Sequence, residues 1–258
     1  MSGRRIAARI ARRAALGTLL AAVLGLACNG APTAPGDASP GPGSRRVLFV
    51  GNSLTYVNAL PEMVRALSRA AGADSAVRVG MVAYPDYSLE DHWARGDAAR
   101  AIAAEHWDVV VLQQGPSALE SSRTLLVDYA RRFAATARAA GAAPALYMVW
   151  PTIDRQDDFP RSSDSYRIAA DSVHGTLLPV GDAWRAAWRR DAALALYAPD
   201  GLHPSVYGSY LAALVITSRL TGRAPATLPS SFTLDSGTRV DIPADVAATL
   251  RQAAADVR

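Results

Sequence analysis

Two short segments, far apart in the sequence, hold residue types that together could perform nucleophilic catalysis. Ser53 follows an apolar run at residues 47–50, and His203 lies three residues after Asp200. A serine hydroxyl attacks a carbonyl only when a base takes its proton, and a carboxylate usually holds that base in the right tautomer. We therefore treat Ser53 as a candidate nucleophile, His203 as its base and Asp200 as the acid that orients the base.

The elements between these segments must bring them together. Residues 46–51 contain an unbroken apolar run, which is typical of a strand buried on both faces. Four further strands are predicted at residues 76–83, 108–113, 145–150 and 176–180. Helices are predicted at residues 58–71, with Asn58 as a cap, and at residues 89–95, 97–105, 122–140, 165–173, 182–190, 205–220 and 244–256. This alternation predicts a five-stranded parallel sheet covered by helices on both faces, with ligands bound at the carboxyl ends of the strands.

The two motifs also resemble those of a known family. GNSLT at residues 51–55 is similar to block I of the SGNH (GDSL-type) hydrolases, and DGLHP at residues 200–204 is similar to their block V. The resemblance covers about residues 45–220. It implies a flavodoxin-like three-layer α/β/α sandwich and ester hydrolysis through an acyl-enzyme. Carried onto this sequence, it makes Ser53 the nucleophile, His203 the general base and Asp200 the orienting acid.

The same resemblance suggests which groups would stabilise the oxyanion, although the middle of the sequence departs from the family. The backbone amide of Ser53 would be one donor. The family has a glycine in block II, whereas residues 84–89 here contain none. Because any residue except proline has a backbone N–H, Asp86 or Tyr87 could still donate.

Block III of the family supplies an asparagine side chain, whereas the third strand here ends in QQGPS at residues 113–117. Glutamine carries the same amide on a longer arm, so we expect Gln113 or Gln114 to be the third donor. Ser117 occupies the position of the asparagine by strict spacing and is the less favoured alternative.

Three further residues are expected near the substrate. Asn52 adjoins the candidate nucleophile, and Trp150 ends the fourth strand. His92 either lines the pocket or packs its helix face on the core. The other histidines show no metal-ligand spacing, so neither a metal nor a cofactor is expected.

The N-terminus has the features of an export signal. All five arginines of residues 1–27 lie in the first 13 positions, and an apolar stretch at residues 14–27 precedes Cys28, the only cysteine. This resembles a bacterial lipoprotein signal with Cys28 as the lipidated residue; ordinary secretion with cleavage near Ala27 is the alternative. Residues 29–44 are rich in Pro and Gly and are expected to form a disordered linker.

Four regions are therefore expected: a signal peptide (residues 1–27), a lipidated cysteine with its linker (28–44), a hydrolase-like domain (45–222) and a C-terminal extension with one helix (223–258). The formal net charge of +4 falls to −1 without the five N-terminal arginines, so nucleic acid is not an expected partner. We expect a monomer, anchored to a membrane through Cys28 and facing the periplasm or cell surface.

The hypothesis for function is an exported esterase, specifically a deacetylase of carbohydrate or other small acyl esters. Two alternatives remain. A binding lipoprotein could keep the fold without a working oxyanion hole, or an acyltransferase could pass the acyl group to a sugar hydroxyl instead of water.

Overall fold

A five-stranded parallel sheet forms the centre of the protein. The computed structural model describes residues 45–72 and 76–257. The strands lie in the order β2-β1-β3-β4-β5, and each neighbouring pair is parallel. Their bounds are β1 (Arg45–Gly51), β2 (Val77–Ala83), β3 (Val109–Leu112), β4 (Ala143–Tyr147) and β5 (Thr176–Leu178). The predicted five-stranded parallel sheet is confirmed.

Helices connect the strands and cover both faces, so the fold is an α/β/α sandwich. Helix α2 packs against α8, which also contacts α7 and α9, whereas α5 packs against α3, α4 and α6. Their bounds are α1 (Ser53–Tyr56), α2 (Leu60–Ala70), α3 (Leu89–Arg95), α4 (Asp97–Ala104), α5 (Glu120–Ala139), α6 (Phe159–Ser172), α7 (Val180–Arg190), α8 (Val206–Thr221) and α9 (Ala244–Asp256).

Burial explains why the strands form where the apolar runs predicted them. The side chains of residues 47–50 in β1 are at most 2% exposed, and all four residues of β3 are buried. A fully buried Val or Leu side chain contributes about 1.5–3 kcal/mol to folding. Strands that are apolar at every position gain this energy only between two helix layers.

Several boundaries differ from the sequence prediction; helix α6, for example, begins at Phe159 and not at residue 165. Two of the differences concern Asn58 and Trp150, which were singled out in the sequence. Helix α2 begins at Leu60 and not at Asn58, because Asn58 and Ala59 both have left-handed backbone angles (φ 56° and 54°). The side chain of Asn58 caps no helix; its amide donates to the Pro204 carbonyl and to the Ser209 hydroxyl. Strand β4 ends at Tyr147, three residues before the predicted end at Trp150.

The C-terminal part adds a feature that was not predicted. After a short 3₁₀ turn, strands β6 (Ser231–Thr233) and β7 (Arg239–Asp241) form a two-stranded antiparallel sheet. Helix α9 follows and packs on α7 and α8, with an ion pair of 2.5 Å between Arg190 and Asp256.

Candidate active site

The candidate nucleophile lies at a sharp turn from strand to helix. Strand β1 ends at Gly51, and Asn52 caps α1 by accepting a hydrogen bond from the backbone N–H of Leu54 (3.1 Å). Ser53 is therefore the first helical residue, at the carboxyl end of β1. A Cβ on Gly51 would lie 2.3 Å from Oε1 of Gln113 and 2.4 Å from the Thr55 hydroxyl, so only glycine fits at this turn.

Ser53 has unused hydrogen-bonding capacity. Its side chain is near the surface of a cleft, and the residue is 8% exposed. Among the described residues, neither its hydroxyl nor its backbone N–H has a hydrogen-bond partner. Both groups are available to a bound molecule.

Gln113 joins the ends of β1 and β3 through a buried network. Its Oε1 accepts from the backbone N–H of Asn52 (2.8 Å) and from the Thr55 hydroxyl (2.7 Å). Its Nε2 donates to Oδ1 of Asn52 (2.9 Å) and to the carbonyl of Gln114 (2.6 Å). The backbone N–H of Asn52 can only donate, which fixes the orientation of the Gln113 amide.

This network overturns the expectation that Gln113 donates to an oxyanion. The side chain is fully buried and both hydrogens of its amide are used, so it holds the turn that carries Ser53 and does not face the cleft. The sequence could not reveal this, because a glutamine at a strand end has the same signature in either role.

Gln114 lines the cleft, but its amide is also occupied. Its Nε2 donates to the Ser117 hydroxyl (2.8 Å) and to the carbonyl of Ser122 (3.3 Å), and its Oε1 accepts from the backbone N–H of Leu89 (3.1 Å). Gln114 thus ties β3 to the starts of α3 and α5. An oxyanion contact from this amide requires that one of these bonds break.

The loop after β2 contains Asp86 and Tyr87, the two residues predicted as alternative backbone donors. The backbone N–H of Tyr84 donates to the carbonyl of Gly51 (3.2 Å). Residues 84–87 then form a turn in which Pro85 is the second residue and Asp86 the third. Asp86 has a φ of 60°, the conformation that a type II turn requires at its third position and that glycine normally provides. Asp86 therefore stands at a position suited to the glycine that the sequence lacks.

The two candidate donors of this loop differ. Among the described residues, the backbone N–H of Asp86 has no partner, whereas that of Tyr87 makes a weak turn bond of 3.4 Å to Tyr84. Both residues line the cleft with Ser53. Asn52 lines it too, and one hydrogen of its amide is used by the carbonyl of Tyr87 (3.0 Å).

Asp200 and His203 form an acid–base pair on one tight loop. Nδ1 of His203 lies 2.6 Å from Oδ2 of Asp200, whose Oδ1 accepts from the backbone N–H groups of Leu202 and His203 (3.0 and 2.9 Å). The histidine bond, assisted by these two amides, holds the pKa of Asp200 at about 2. The carboxylate is charged at neutral pH and fixes the tautomer in which Nδ1 carries the proton, leaving Nε2 to act as an acceptor.

Contacts from the loop after β4 hold this pair in place. The backbone N–H of Ile153 donates to the carbonyl of Gly201 (2.8 Å). The indole N–H of Trp150 donates to the carbonyl of Leu202 (3.0 Å). From the nucleophile side, the Asn58 amide donates to the carbonyl of Pro204 (3.0 Å). These bonds connect the segment after Ser53, the β4 loop and the acid–base loop.

A cleft of about 420 Å³ opens at the carboxyl ends of β1, β3 and β4. It is lined by residues 52–54, 86–88 and 114–119, by Ser122, Leu125 and Leu202, and by four residues of the loop 151–158. Ser53 and Leu202, which adjoins His203, thus share one cleft. Within the described residues no hydrogen bond joins Ser53 to His203; in many enzymes this contact tightens only around bound substrate.

Two residues expected in the pocket lie behind it. His92 is fully buried and its Nε2 donates to the carbonyl of Gly51 (2.7 Å), with the rings of Tyr84 and Tyr87 beside it. Burial lowers the pKa of His92. Trp150 is also fully buried and stacks on Trp184 at 3.8 Å. Both side chains support the site from the core and neither lines the cleft.

Several cleft residues were not anticipated. Thr152, Arg155 and Asp158 lie on the loop between β4 and α6, which the sequence marks only as polar. No short motif distinguishes a polar loop that lines a cleft from one that faces solvent, so this signal was missing.

Two kinds of feature are absent from residues 45–72 and 76–257. These residues contain no group of three or more His, Cys, Asp or Glu side chains that could hold a metal ion. They also include no helix with the length and apolar character needed to cross a membrane.

The fold and the cleft place the chain in the class of α/β/α sandwich proteins with a site at the carboxyl ends of parallel strands. Comparison with solved structures shows which family within this class the chain belongs to. A protein from Slackia heliotrinireducens classed as an SGNH hydrolase is 32% identical, with a TM-score of 0.56, over 69% of this chain and 99% of that one. The chain therefore belongs to the SGNH hydrolase family.

More distant structures share the fold alone. A DUF4886 family protein from Bacteroides uniformis is 18% identical with a TM-score of 0.66, over 83% of this chain and 94% of that one. An acetyl xylan esterase from Geobacillus stearothermophilus is 15% identical with a TM-score of 0.55, over 68% and 94%. No family model and no curated protein matches the sequence.

Proposed function

We propose that this hydrolase cleaves esters through an acyl-enzyme on Ser53. The Ser53 hydroxyl oxygen bonds to the ester carbonyl carbon while Nε2 of His203 takes its proton. The tetrahedral oxyanion then collapses, the bond to the alcohol oxygen breaks, and His203 gives its proton to the departing alcohol. A water molecule repeats the sequence on the acyl-enzyme and releases the acid.

The observation that carries this proposal is the Asp200–His203 pair. A carboxylate with a low pKa, 2.6 Å from Nδ1, stabilises the imidazolium that forms when Nε2 accepts a proton. A protein that only binds ligands has no need of this pair on a loop that also contributes Leu202 to the cleft of Ser53. The pair therefore favours catalysis over the binding-protein alternative.

Backbone groups are the preferred oxyanion donors in this proposal. The N–H groups of Ser53 and Asp86 have no partner among the described residues, and both residues line the cleft. The second hydrogen of the Asn52 amide is a further candidate. Loss of one such donor typically costs about 100- to 1,000-fold in kcat.

The first test compares the full chain with Ser53→Ala, His203→Ala and a matched cleft variant, Ser117→Ala, using para-nitrophenyl acetate and butyrate. We expect Ser53→Ala and His203→Ala to lose about three or more orders of magnitude in kcat. Ser117 is also a buried cleft serine, but its hydroxyl is bonded to Gln114 and Gly115, so we expect a much smaller loss. Hydrolysis by Ser53→Ala at the wild-type rate would exclude the proposed mechanism.

Acetyl esters of carbohydrates are the proposed substrates. The support is the family together with one structural neighbour that is an acetyl xylan esterase, and that likeness is one of fold. A faster rate on acetate than on butyrate is the expected result. Product analysis with added sugar acceptors separates hydrolysis from acyl transfer, because a transferase forms a new sugar ester in place of free acetate.

We also propose that the protein is exported, anchored through lipidated Cys28 and monomeric. The support for export and anchoring is the arginine-rich start and apolar stretch of residues 1–27, which lie outside the described residues, as does the linker up to residue 44. Mass spectrometry of the mature N-terminus tests this. A diacylated Cys28 supports the anchor, whereas an unmodified N-terminus produced by cleavage near Ala27 indicates ordinary secretion.

A further inference from the structure

One wall of the cleft carries a cation that the proposed chemistry does not use. Arg155 is the only positively charged residue among the described residues that line the cleft. It lies on the loop between β4 and α6, and its side chain is 51% exposed. It is thus available to a group of the substrate outside the reacting bond.

A buried carboxylate fixes Arg155 at this place. Asp158, with its side chain 6% exposed, lies 2.5 Å from Nη2 of Arg155 and also binds Arg161. Two guanidinium groups share one carboxylate, so Arg155, Arg161 and Asp158 together have a net positive charge. Within the described residues, Nε and Nη1 of Arg155 have no hydrogen-bond partner. Arginine uses such paired donors to bind carboxylates in a bidentate manner.

The position of the acid–base loop shows which part of an ester would lie near Arg155. His203 must give its proton to the alcohol oxygen, so the alcohol part lies on the His203 side of Ser53. The backbone bond from Ile153 to Gly201 joins that side to the loop of Arg155.

Asp86, an acidic residue that lines the cleft, lies on the opposite side of Ser53 from Arg155. Asp86 follows β2, and Arg155 follows β4, whereas Ser53 follows β1, which lies between those two strands. The acidic residue therefore stands on the side opposite to the acid–base loop. A negative group on the alcohol part would avoid Asp86 and meet Arg155.

We propose that Arg155 determines specificity by binding a carboxylate on the alcohol part of the ester. The substrate class is an acyl ester of an acidic alcohol, such as an acylated sugar acid. This inference rests on the proposed ester hydrolysis at Ser53. It adds the charge of the substrate, which neither the nucleophile nor the acid–base pair determines.

Two nearly isosteric esters test the inference on the full chain: 4-acetoxybenzoate, which carries a carboxylate on the alcohol part, and 4-acetoxybenzamide, which is neutral. The measured quantity is the ratio of their kcat/KM values. We expect wild type to prefer the carboxylate about tenfold or more, because only the carboxylate can accept charge-assisted hydrogen bonds from Arg155. Arg155→Gln should abolish this preference, mainly by raising KM for 4-acetoxybenzoate.

Arg161→Gln is the matched control, because Arg161 binds the same Asp158 but does not line the cleft. It should retain the wild-type ratio. Equal kcat/KM values for the two esters in wild type, or the same loss of preference in both variants, would overturn the role of Arg155. The proposed function is judged separately by hydrolysis of the neutral ester and its loss in Ser53→Ala. If wild type hydrolyses neither ester, the proposed function fails and this inference fails with it.

Discussion

Asp86 shows how a single residue can replace a glycine without removing the backbone donor. Its left-handed φ of 60° turns the chain after β2, and its N–H remains without a partner among the described residues. Asp tolerates this conformation better than most residues, but it still carries the steric cost of a Cβ. The donor that the family motif assigns to glycine depends on backbone geometry and not on the side chain.

This cost gives a prediction at the scale of the residue. Asp86→Gly should raise the free energy of unfolding by about 0.5–1 kcal/mol, because glycine has no Cβ to clash at positive φ. Asp86→Val should lower it by about 1–3 kcal/mol, because a β-branched residue is a severe outlier there. Urea denaturation measures both. Equal stability of the two variants would contradict a strained Asp86.

At the scale of the element, helix α3 supports the nucleophile turn from behind. The helix starts with a capping box between Ser88 and Asp91. One turn along it, His92 reaches the carbonyl of Gly51 at the end of β1. Nδ1 of His92 is buried and has no partner within the described residues. A proton there would have no acceptor, so the surroundings of His92 favour its neutral form.

The stability of the fold should therefore depend on pH through His92. Burial lowers the pKa of His92 in the folded protein, despite opposing contributions from the Gly51 carbonyl and Asp97, whereas in the unfolded chain it titrates near 6.5. Below pH 6.5 the unfolded state binds more protons, so the free energy of unfolding falls as the pH falls through 6.5 towards the lower folded value. Above pH 6.5 this contribution is fully present.

Urea denaturation at pH 7.5 and pH 5 measures this effect in wild type, His92→Gln and His174→Asn. Glutamine can still donate to the Gly51 carbonyl but cannot titrate, so His92→Gln should lose less stability than wild type on acidification. His174 is exposed, and asparagine tolerates its left-handed φ of 44°, so His174→Asn should behave like wild type. An identical pH dependence in all three proteins would exclude the role of His92.

At the scale of the whole molecule, the C-terminal helix is part of the packed structure. Helix α9 buries Ala247, Leu250, Ala253 and Ala254 against its neighbours, and Leu250 is fully buried. Helix α7 contacts both α9 and α8, and α8 begins directly after the acid–base loop. Removing contacts of α9 should therefore lower the free energy of unfolding of the whole domain.

Leu250→Ala tests this coupling. We expect a loss of about 2–5 kcal/mol in the free energy of unfolding, because the substitution leaves a cavity between packed helices. The exposed Gln252 on the same helix provides the control, and Gln252→Ala should change stability by about 0.5 kcal/mol or less. If Leu250→Ala is as stable as the control, α9 does not contribute to the cooperative fold.

The sequence by itself determined the sheet and the chemical types at its edge. A short apolar run bounded by turn residues is typical of a strand in a parallel sheet covered by helices, so the five strands were predictable. Ser53, Asp200 and His203 could be proposed from the sequence as candidates, because these residue types can serve as a nucleophile, an orienting acid and a base.

Only the tertiary structure decided which polar groups face the cleft. Gln113 and Gln114 are neighbours in one motif, yet one is fully buried and the other lines the cleft. Likewise, Trp150 lies just after β4, at the edge of the sheet that carries the site, but its indole N–H donates to the Leu202 carbonyl from the core. Arg155 lies on a polar loop whose sequence contains no motif that indicates a binding site. The physical reason is that hydrogen-bond partners distant in sequence, which no local period records, decide whether a polar side chain supports a site or contacts its ligand.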